Sequence, residues 1–231
     1  MRPERFRRLR EVLDRRQPDL TVLMERVDKP HNFSAILRNC DAVGVLEAHV
    51  VPPRHGLDLS QATSAGTDKW VAVRRHADVA AAAEHLKALG FGLVAAHPAS
   101  DAVDYRDVDF TAPTALLMGA ELHGLGEEAL ALADVRVIVP MEGMVRSLNV
   151  SVATALLLYE ARRQREEAGM YERPRLPADV YERLLFEWAH PRLARDYRGR
   201  GEPYPALDEE GGVLAPGGIP GTPGNPRSRS E

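Results

Sequence analysis

The sequence predicts an α/β fold built on a mainly parallel sheet. Apolar runs of strand length alternate with segments of helical period along most of the 231 residues. FGLVAAHP (91–98) and TALLMG (114–119) are nearly continuous in apolar residues, as strands covered on both faces are. A polar, glycine-marked turn follows the second of these runs, where ligands dock in α/β proteins.

The elements follow in order. Phe6, Leu9, Val12 and Leu13 recur at helical spacing near the N-terminus, with arginines on the opposite face, and Gln17-Pro18-Asp19 ends that helix. LTVLMERV (20–27) is a strand, SAILRNCDAVG (34–44) a helix, AHVVPP (48–53) and VAVRR (71–75) short strands. HADVAAAAEHLKALG (76–90) is a helix capped by Gly90. The strand at 91–98 and the one at 114–119 precede a short helix, GLGEEALALAD (124–134), and a strand, RVIVPM (136–141). A long apolar helix from about Leu148 to Glu167 closes the core. Beyond Gly169, ADVYERLLFEWAH (178–190) is helical, with Val180, Leu184, Leu185 and Trp188 on one side. The last 21 residues hold six glycines and four prolines and are expected to be a disordered tail. The expected divisions are therefore 1–18, a basic helix; 19–168, the main domain; 169–200, a helical extension; and 201–231, the tail.

Composition narrows the function. A 44% hydrophobic, 28% charged chain is globular, and no apolar run approaches the roughly 20 residues of a membrane span. The N-terminus lacks an apolar signal core, so a cytoplasmic location is expected. One cysteine, Cys40, excludes an internal disulfide and a cysteine zinc site. Net charge is −4, yet residues 1 to 16 carry seven arginines against three acids. Arg162, Arg163 and Arg165 form a second basic group. Such patches suit a phosphate backbone, or are solvated helix faces.

Three polar turns carry the chemistry. The first, KPHNFSAILRNC, places Asn32 and Ser34 ahead of Arg38, whose neighbours Leu37, Cys40 and Ala42 are apolar or small. Its ordinary alternative is a structural pair between Arg38 and Asp41. The second, LLMGAELHGLG, holds Gly119, Glu121 and Gly124; here Glu121 could equally serve the dipole of the following helix. The third, PMEGMVRSLNVS (140–151), sets Ser147, Asn149 and Ser151 at the start of the long helix, where short polar groups cap unpaired N–H groups or hold a ligand.

Common templates fail. Gly119-x4-Gly124 has phosphate-loop spacing, but Leu125 and Gly126 stand where Lys and Ser/Thr are needed. No Gly-x-Gly-x-x-Gly follows a strand, no His-Glu-x-x-His is present, and no Gly-x-Ser-x-Gly appears. No metal is expected.

Taken in order, Asn32-x-Ser34 through Arg38, Gly119-x-Glu121-x-x-Gly124, and Pro140-Met141 through Ser147-Leu148-Asn149-Val150-Ser151 resemble the three motifs of the SpoU/TrmH family of RNA 2′-O-methyltransferases. That family belongs to the SPOUT superfamily. RRQPDLTVL (15–23), KPHN (29–32), DAVGV (41–45) and EEALALAD (127–134) resemble its branch acting on tRNA guanosine. The resemblance spans roughly residues 5 to 195.

The resemblance implies a trefoil-knotted domain that binds S-adenosyl-L-methionine, and a homodimer with the active site at its interface. Backbone groups at Ala96, Gly119, Val139 and Leu148 match the cofactor-binding positions. Close relatives often carry Thr at the position of Ala96, and Gln at that of Arg146. Arg38, Asn32, Glu121, Ser147 and Asn149 match the catalytic positions. Arg5, Arg8, Arg16, Arg163 and Arg165 match positions linked to tRNA binding. The implied reaction is methylation of the 2′-hydroxyl of guanosine 18 in the tRNA D-loop. The alternatives are another RNA site, in ribosomal RNA or at the tRNA wobble ribose, and a non-catalytic RNA-binding protein of the same fold.

Overall fold

The computed structural model of the chain describes residues 1–53 and 69–214. Two compact units emerge: Arg15–Arg175, and a smaller one that joins Met1–Asp14 to the chain from Leu176 onward.

The larger unit is built on a seven-stranded, all-parallel sheet in the order β3-β2-β1-β6-β4-β7-β5. The strands are β1 (Leu20–Glu25), β2 (Glu47–Val51), β3 (Ala72–Arg75), β4 (Gly92–Ala96), β5 (Val103–Asp104), β6 (Thr114–Met118) and β7 (Val135–Ile138). Every residue of β1 and of β6 is buried, as central parallel strands require, whereas β3 at the sheet edge is largely exposed. In helical segments the unit carries α2 (Pro30–Ala42), α3 (Val79–Ala88), α4 (Glu127–Leu132) and α5 (Val150–Glu167). The strand alternation sorts side chains to two faces. Val22, Met24, Val94, Leu116 and Met118 meet Phe33, Ile36 and Leu37 of α2 and Leu157 and Leu158 of α5 on one face. Leu23, Leu93, Ala95, Ala115 and Leu117 meet Ala82, Ala83 and Leu86 of α3 and Ala129 of α4 on the other. Gly90 takes φ +84° just past α3, the left-handed position expected of it.

Residues 15–18 and 169–175 fold with this unit rather than with the expected appendages. Gln17 donates its N–H to Gly44 O, Tyr171 Oη donates to Val43 O, and Arg175 binds both carboxylate oxygens of Asp19.

In the smaller unit, α1 (Pro3–Asp14) buries Phe6, Leu9 and Leu13 and packs on α6 (Ala178–Ala189). The expected α6 stripe omits Phe186, which is buried and stacks on Tyr204 with centroids 4.6 Å apart. A further helix, α7 (Pro191–Arg200), starts on a proline and stops at Gly201 with φ +69°. Its charged sequence gives no apolar periodicity to find it by. Residues 201–214, expected to begin the tail, are folded: Leu207 bridges Val213, and Gly211 O accepts from His190 Nε2 at 2.7 Å. The rest of the expected tail lies outside the described residues. Among the described residues, no helix is long and apolar enough to cross a membrane.

Candidate active site

β6, β4 and β7 are neighbours, so their carboxyl ends open side by side at one edge of the sheet. A pocket forms there. Ala96 at the end of β4, Gly119 just after β6, Val139 just after β7, and Leu148 ahead of α5 all line it. Met118, Val137 and Leu157 supply apolar wall, while Glu121 and Ser147 stand at the polar side. Apolar wall plus exposed turn backbone suits a ligand with a flat aromatic base and a charged, polar tail.

The turn after β6 is shaped by two glycines. Ala120 and Gly124 exchange backbone hydrogen bonds at 3.1 and 2.8 Å, folding the turn onto itself. A Cβ on Gly119 would lie 2.1 Å from the carbonyl carbon of Gly124, and Gly124 itself takes φ +63°. A side chain at Gly119 would force the turn to move, and one at Gly124 would be strained by its left-handed backbone. Glu25, buried at the end of β1, accepts the N–H of Gly126 at 2.8 Å where α4 begins. The helix-start role weighed for Glu121 therefore belongs to Glu25. Sequence reasoning missed Glu25; an acid closing an otherwise apolar strand is the signal that could have found it.

Glu121 instead faces the other two turns. Its Oε2 receives Lys29 Nζ, and its Oε1 accepts from Asn149 Nδ2 at 3.4 Å. The same Asn149 amide donates to Asn32 Oδ1 at 3.1 Å. Asn149 Oδ1 accepts from the N–H and the hydroxyl of Ser151, at 2.9 and 2.7 Å, capping α5. The third turn is thus a helix cap and a hub at once. Asn32 is buried, and α2 is held against α5 by Asn39 Nδ2, which donates to Ser151 O at 2.9 Å. The hydrogen bond from Lys29, and its charge, hold the Glu121 carboxyl below the usual range; Glu121 in turn raises Lys29.

Arg38 does not line the pocket. It sits exposed on α2, with no hydrogen bond or ion pair among the described residues. The Arg38–Asp41 pair weighed from sequence does not form; Asp41 accepts from Arg16 instead, at 2.7 Å.

The five arginines expected at RNA divide sharply. Arg5 and Arg8 are exposed on α1, Arg8 beside Glu11 at 3.2 Å. Arg163 is exposed on α5 and pairs with Glu160 and Glu167, each at 2.7 Å. Arg16 and Arg165 are corrections: both are fully buried and cannot present a charged face. Arg16 donates to Val45 O at 2.9 Å besides Asp41. Arg165 donates to Asp19 Oδ1 at 2.6 Å, Phe110 O at 2.8 Å, and the carbonyls of Asp19 and Ala112. Among the described residues no group of three or more His, Cys, Asp or Glu is arranged to hold a metal ion.

Comparison with known proteins places this arrangement. The sequence profile of the SpoU rRNA methylase family matches residues 19–159, and that of the SpoU rRNA methylase C-terminal region matches residues 163–216. The chain is 51% identical over 217 residues to the tRNA (guanosine(18)-2′-O)-methyltransferase of Escherichia coli (strain K12), covering 93% of this chain and 95% of the relative. The crystal structure of the A. aeolicus TrmH/SpoU tRNA modifying enzyme superposes with a TM-score of 0.74 at 42% identity, over 81% of this chain and 96% of that one. The SpoU methyltransferase AviRb from Streptomyces viridochromogenes, solved in complex with AdoMet, gives a TM-score of 0.57 at 32% identity, over 67% of this chain and 62% of that one.

Proposed function

The chain belongs to the SpoU methylase family, and from that premise we propose that it methylates the ribose 2′-hydroxyl of guanosine 18 in tRNA, with S-adenosylmethionine as donor. The observation that carries the reading is convergence. The four expected cofactor positions line one pocket, and residues from all three polar turns are hydrogen-bonded beside it.

The bound cofactor supplies a methyl group activated on a sulfonium. Ala96, Gly119, Val139 and Leu148 hold it through the turns at the strand ends. Ala96 is compatible with that role where the contact is made by backbone. Asn32 and Asn149 position the ribose, Ser147 faces it, and Glu121 fixes the geometry of the Asn149 amide. The ribose hydroxyl must lose its proton as the methyl bond forms. Arg38 is a poor proton acceptor, since a guanidinium stays charged up to a pH of about 12. Its role is electrostatic: it polarises the hydroxyl or orients the substrate phosphate that takes the proton.

Arg38 does not line the pocket, and on this reading a partner copy completes the site, as the family resemblance implies. Val152, Leu156 and Tyr159 support this: they are 47%, 37% and 50% exposed, at i, i+4 and i+7 on α5. An apolar stripe left at that spacing on a helix fits a homodimer seam. A trefoil knot between the turn after β6 and α5 is the chain path that the family implies for this pocket. Of the five matched arginines, Arg5, Arg8 and Arg163 are exposed towards solvent where RNA would meet them, Arg163 already paired with Glu160 and Glu167, and a tRNA substrate implies the cytoplasm as the place of work.

The test is methylation of purified tRNA followed by mapping of the modified ribose. Modification at guanosine 18 is the expected result. Methylation elsewhere, or at no RNA, overturns the assignment.

A further inference from the structure

Lys29 is not among the matched catalytic positions, yet it closes a ring. β1 and β6 are adjacent and in register from Leu20↔Thr114 to Met24↔Met118, so their following turns leave the same sheet edge side by side. Lys29, at the N-cap of α2, reaches across to Glu121 Oε2. Glu121 Oε1 passes to the Asn149 amide, and that amide passes back to Asn32, one helical turn beyond Lys29. All four members come from the three turns, and each carboxylate oxygen has its own donor.

We propose that Lys29 is a positioning residue of the methyl transfer. By fixing one oxygen of Glu121 it aims the other, and so sets the amide of Asn149 and the ring's grip on Asn32. The proposal rests on the functional reading above.

The pair is 41% exposed at Lys29 and 32% at Glu121. Pairs this open to solvent add little to stability, so Lys29→Met is expected to fold and dimerise as before. Its effect belongs in geometry, where a misplacement of about an ångström costs up to roughly a hundred-fold in rate. Loss of Lys29 also removes the main cause of the low Glu121 carboxyl.

Steady-state kinetics with tRNA, a pH profile of kcat and a carbon-13 titration of Glu121 in the full-length chain test this. In Lys29→Met, kcat falls roughly ten- to a hundred-fold with KM for tRNA changed little. The acid limb of kcat and the Glu121 titration both move to higher pH, and cofactor affinity is unchanged. Lys29→Arg, which keeps the charge, restores the pH limb and most of kcat. A rise in KM alone, with kcat and pH limb unmoved, makes Lys29 a plain phosphate contact and overturns the proposal. An unmoved Glu121 titration overturns the ring itself. A wild-type chain that methylates no RNA overturns the functional reading, and the catalytic use of the ring with it, while the titration still reports whether the ring exists.

Discussion

Asp19 holds two guanidiniums at once. Arg165 and Arg175 both reach its Oδ1 at 2.6 Å, and Arg175 adds Oδ2 at 2.8 Å. Burial pushes the Asp19 carboxyl up, but the hydrogen bonds from Arg175 and Arg165 outweigh it and hold the group below its usual range. Arg165 is fully buried, so removing it would take one of the two guanidiniums from Asp19 and leave the Phe110 carbonyl without a donor. Arg175 still holds Asp19, so the cost lies near the low end for a broken buried pair, about 3 kcal/mol. Arg165→Ala should therefore lower the urea-unfolding free energy by that amount, whereas Arg163→Ala, on an exposed pair, should leave it nearly unchanged. Equal effects would remove the distinction between them. The two arginines are two residues apart in a run of charges, and composition alone treats them alike. The register does not: Thr154, Leu158, Ala161 and Arg165 follow one helical stripe, the first three buried with it. Arg16 lies past the end of α1 at Asp14, so no helical register speaks for its burial. Burial of Arg165 was therefore legible, provided a charge is allowed at an apolar position when its partners lie elsewhere in the chain; burial of Arg16 was not. Those partners, Asp19 and Asp41, are set by the fold.

At the scale of elements, the strands and helices were the legible part, because β1, β4 and β6 are short, apolar and covered on both faces. β5 was not, since two residues carry no period. The polar turns were legible as three candidates for one site, and they do converge; what each carboxylate does in them was not legible, since the partners of Glu25 and Glu121 are set by which strands are neighbours. The edge formed by β2, β3 and α3 holds a feature that sequence could not show. His49, His76 and His85 gather with ring centroids 5.2 to 5.7 Å apart, and His49 Nδ1 lies 2.9 Å from His76 Nε2. One nitrogen of that pair donates and the other accepts, so protonating both would oppose two donors. Burial first, then His76, His85 and Arg74, push His49 down to about 3; Glu47 lies 3.8 Å from its Nε2 and pairs with Arg74. Burial, His85 and Arg74 also lower His76. The sign follows directly. An unfolded histidine takes up its proton near pH 6.5 and the folded His49 does not until about pH 3, so the unfolded state binds more protons in that window. Stability should be level above about pH 6.5 and fall steadily below it, with His49 accounting for up to about 3 kcal/mol by pH 4. Denaturation curves of the wild type and of His49→Asn across pH 4 to 8 measure it. Identical slopes for the two would show that His49 is not the linked group.

At the scale of the whole molecule, a chain of net charge −4 must offer tRNA a local positive face, and that face is narrower than the arginine count suggests. Of the five arginines matched to RNA-binding positions, Arg16 and Arg165 are buried, and Arg163 already pairs with Glu160 and Glu167. Arg5 and Arg8 remain on the exposed side of α1, and among the described residues Arg8 alone of the two has an ion pair, with Glu11 at 3.2 Å. Truncating α1 would be a poor test, because its buried face, Phe6, Leu9 and Leu13, packs on α6 in the same unit and the loss would disturb that packing. Replacing Arg5 and Arg8 together by Ala leaves Phe6, Leu9 and Leu13 in place. Each phosphate deprived of its arginine should reduce the slope of log affinity against log salt by about 0.7 to 0.9. The double variant should therefore bind tRNA more weakly at low salt, with a slope shallower by about one to two, and bind S-adenosylmethionine as before. Filter binding across a salt series, alongside calorimetry with the cofactor, measures both. An unchanged slope would place the tRNA elsewhere on the protein. Parallel loss of cofactor affinity would mean that these arginines support the fold of the pocket rather than the RNA.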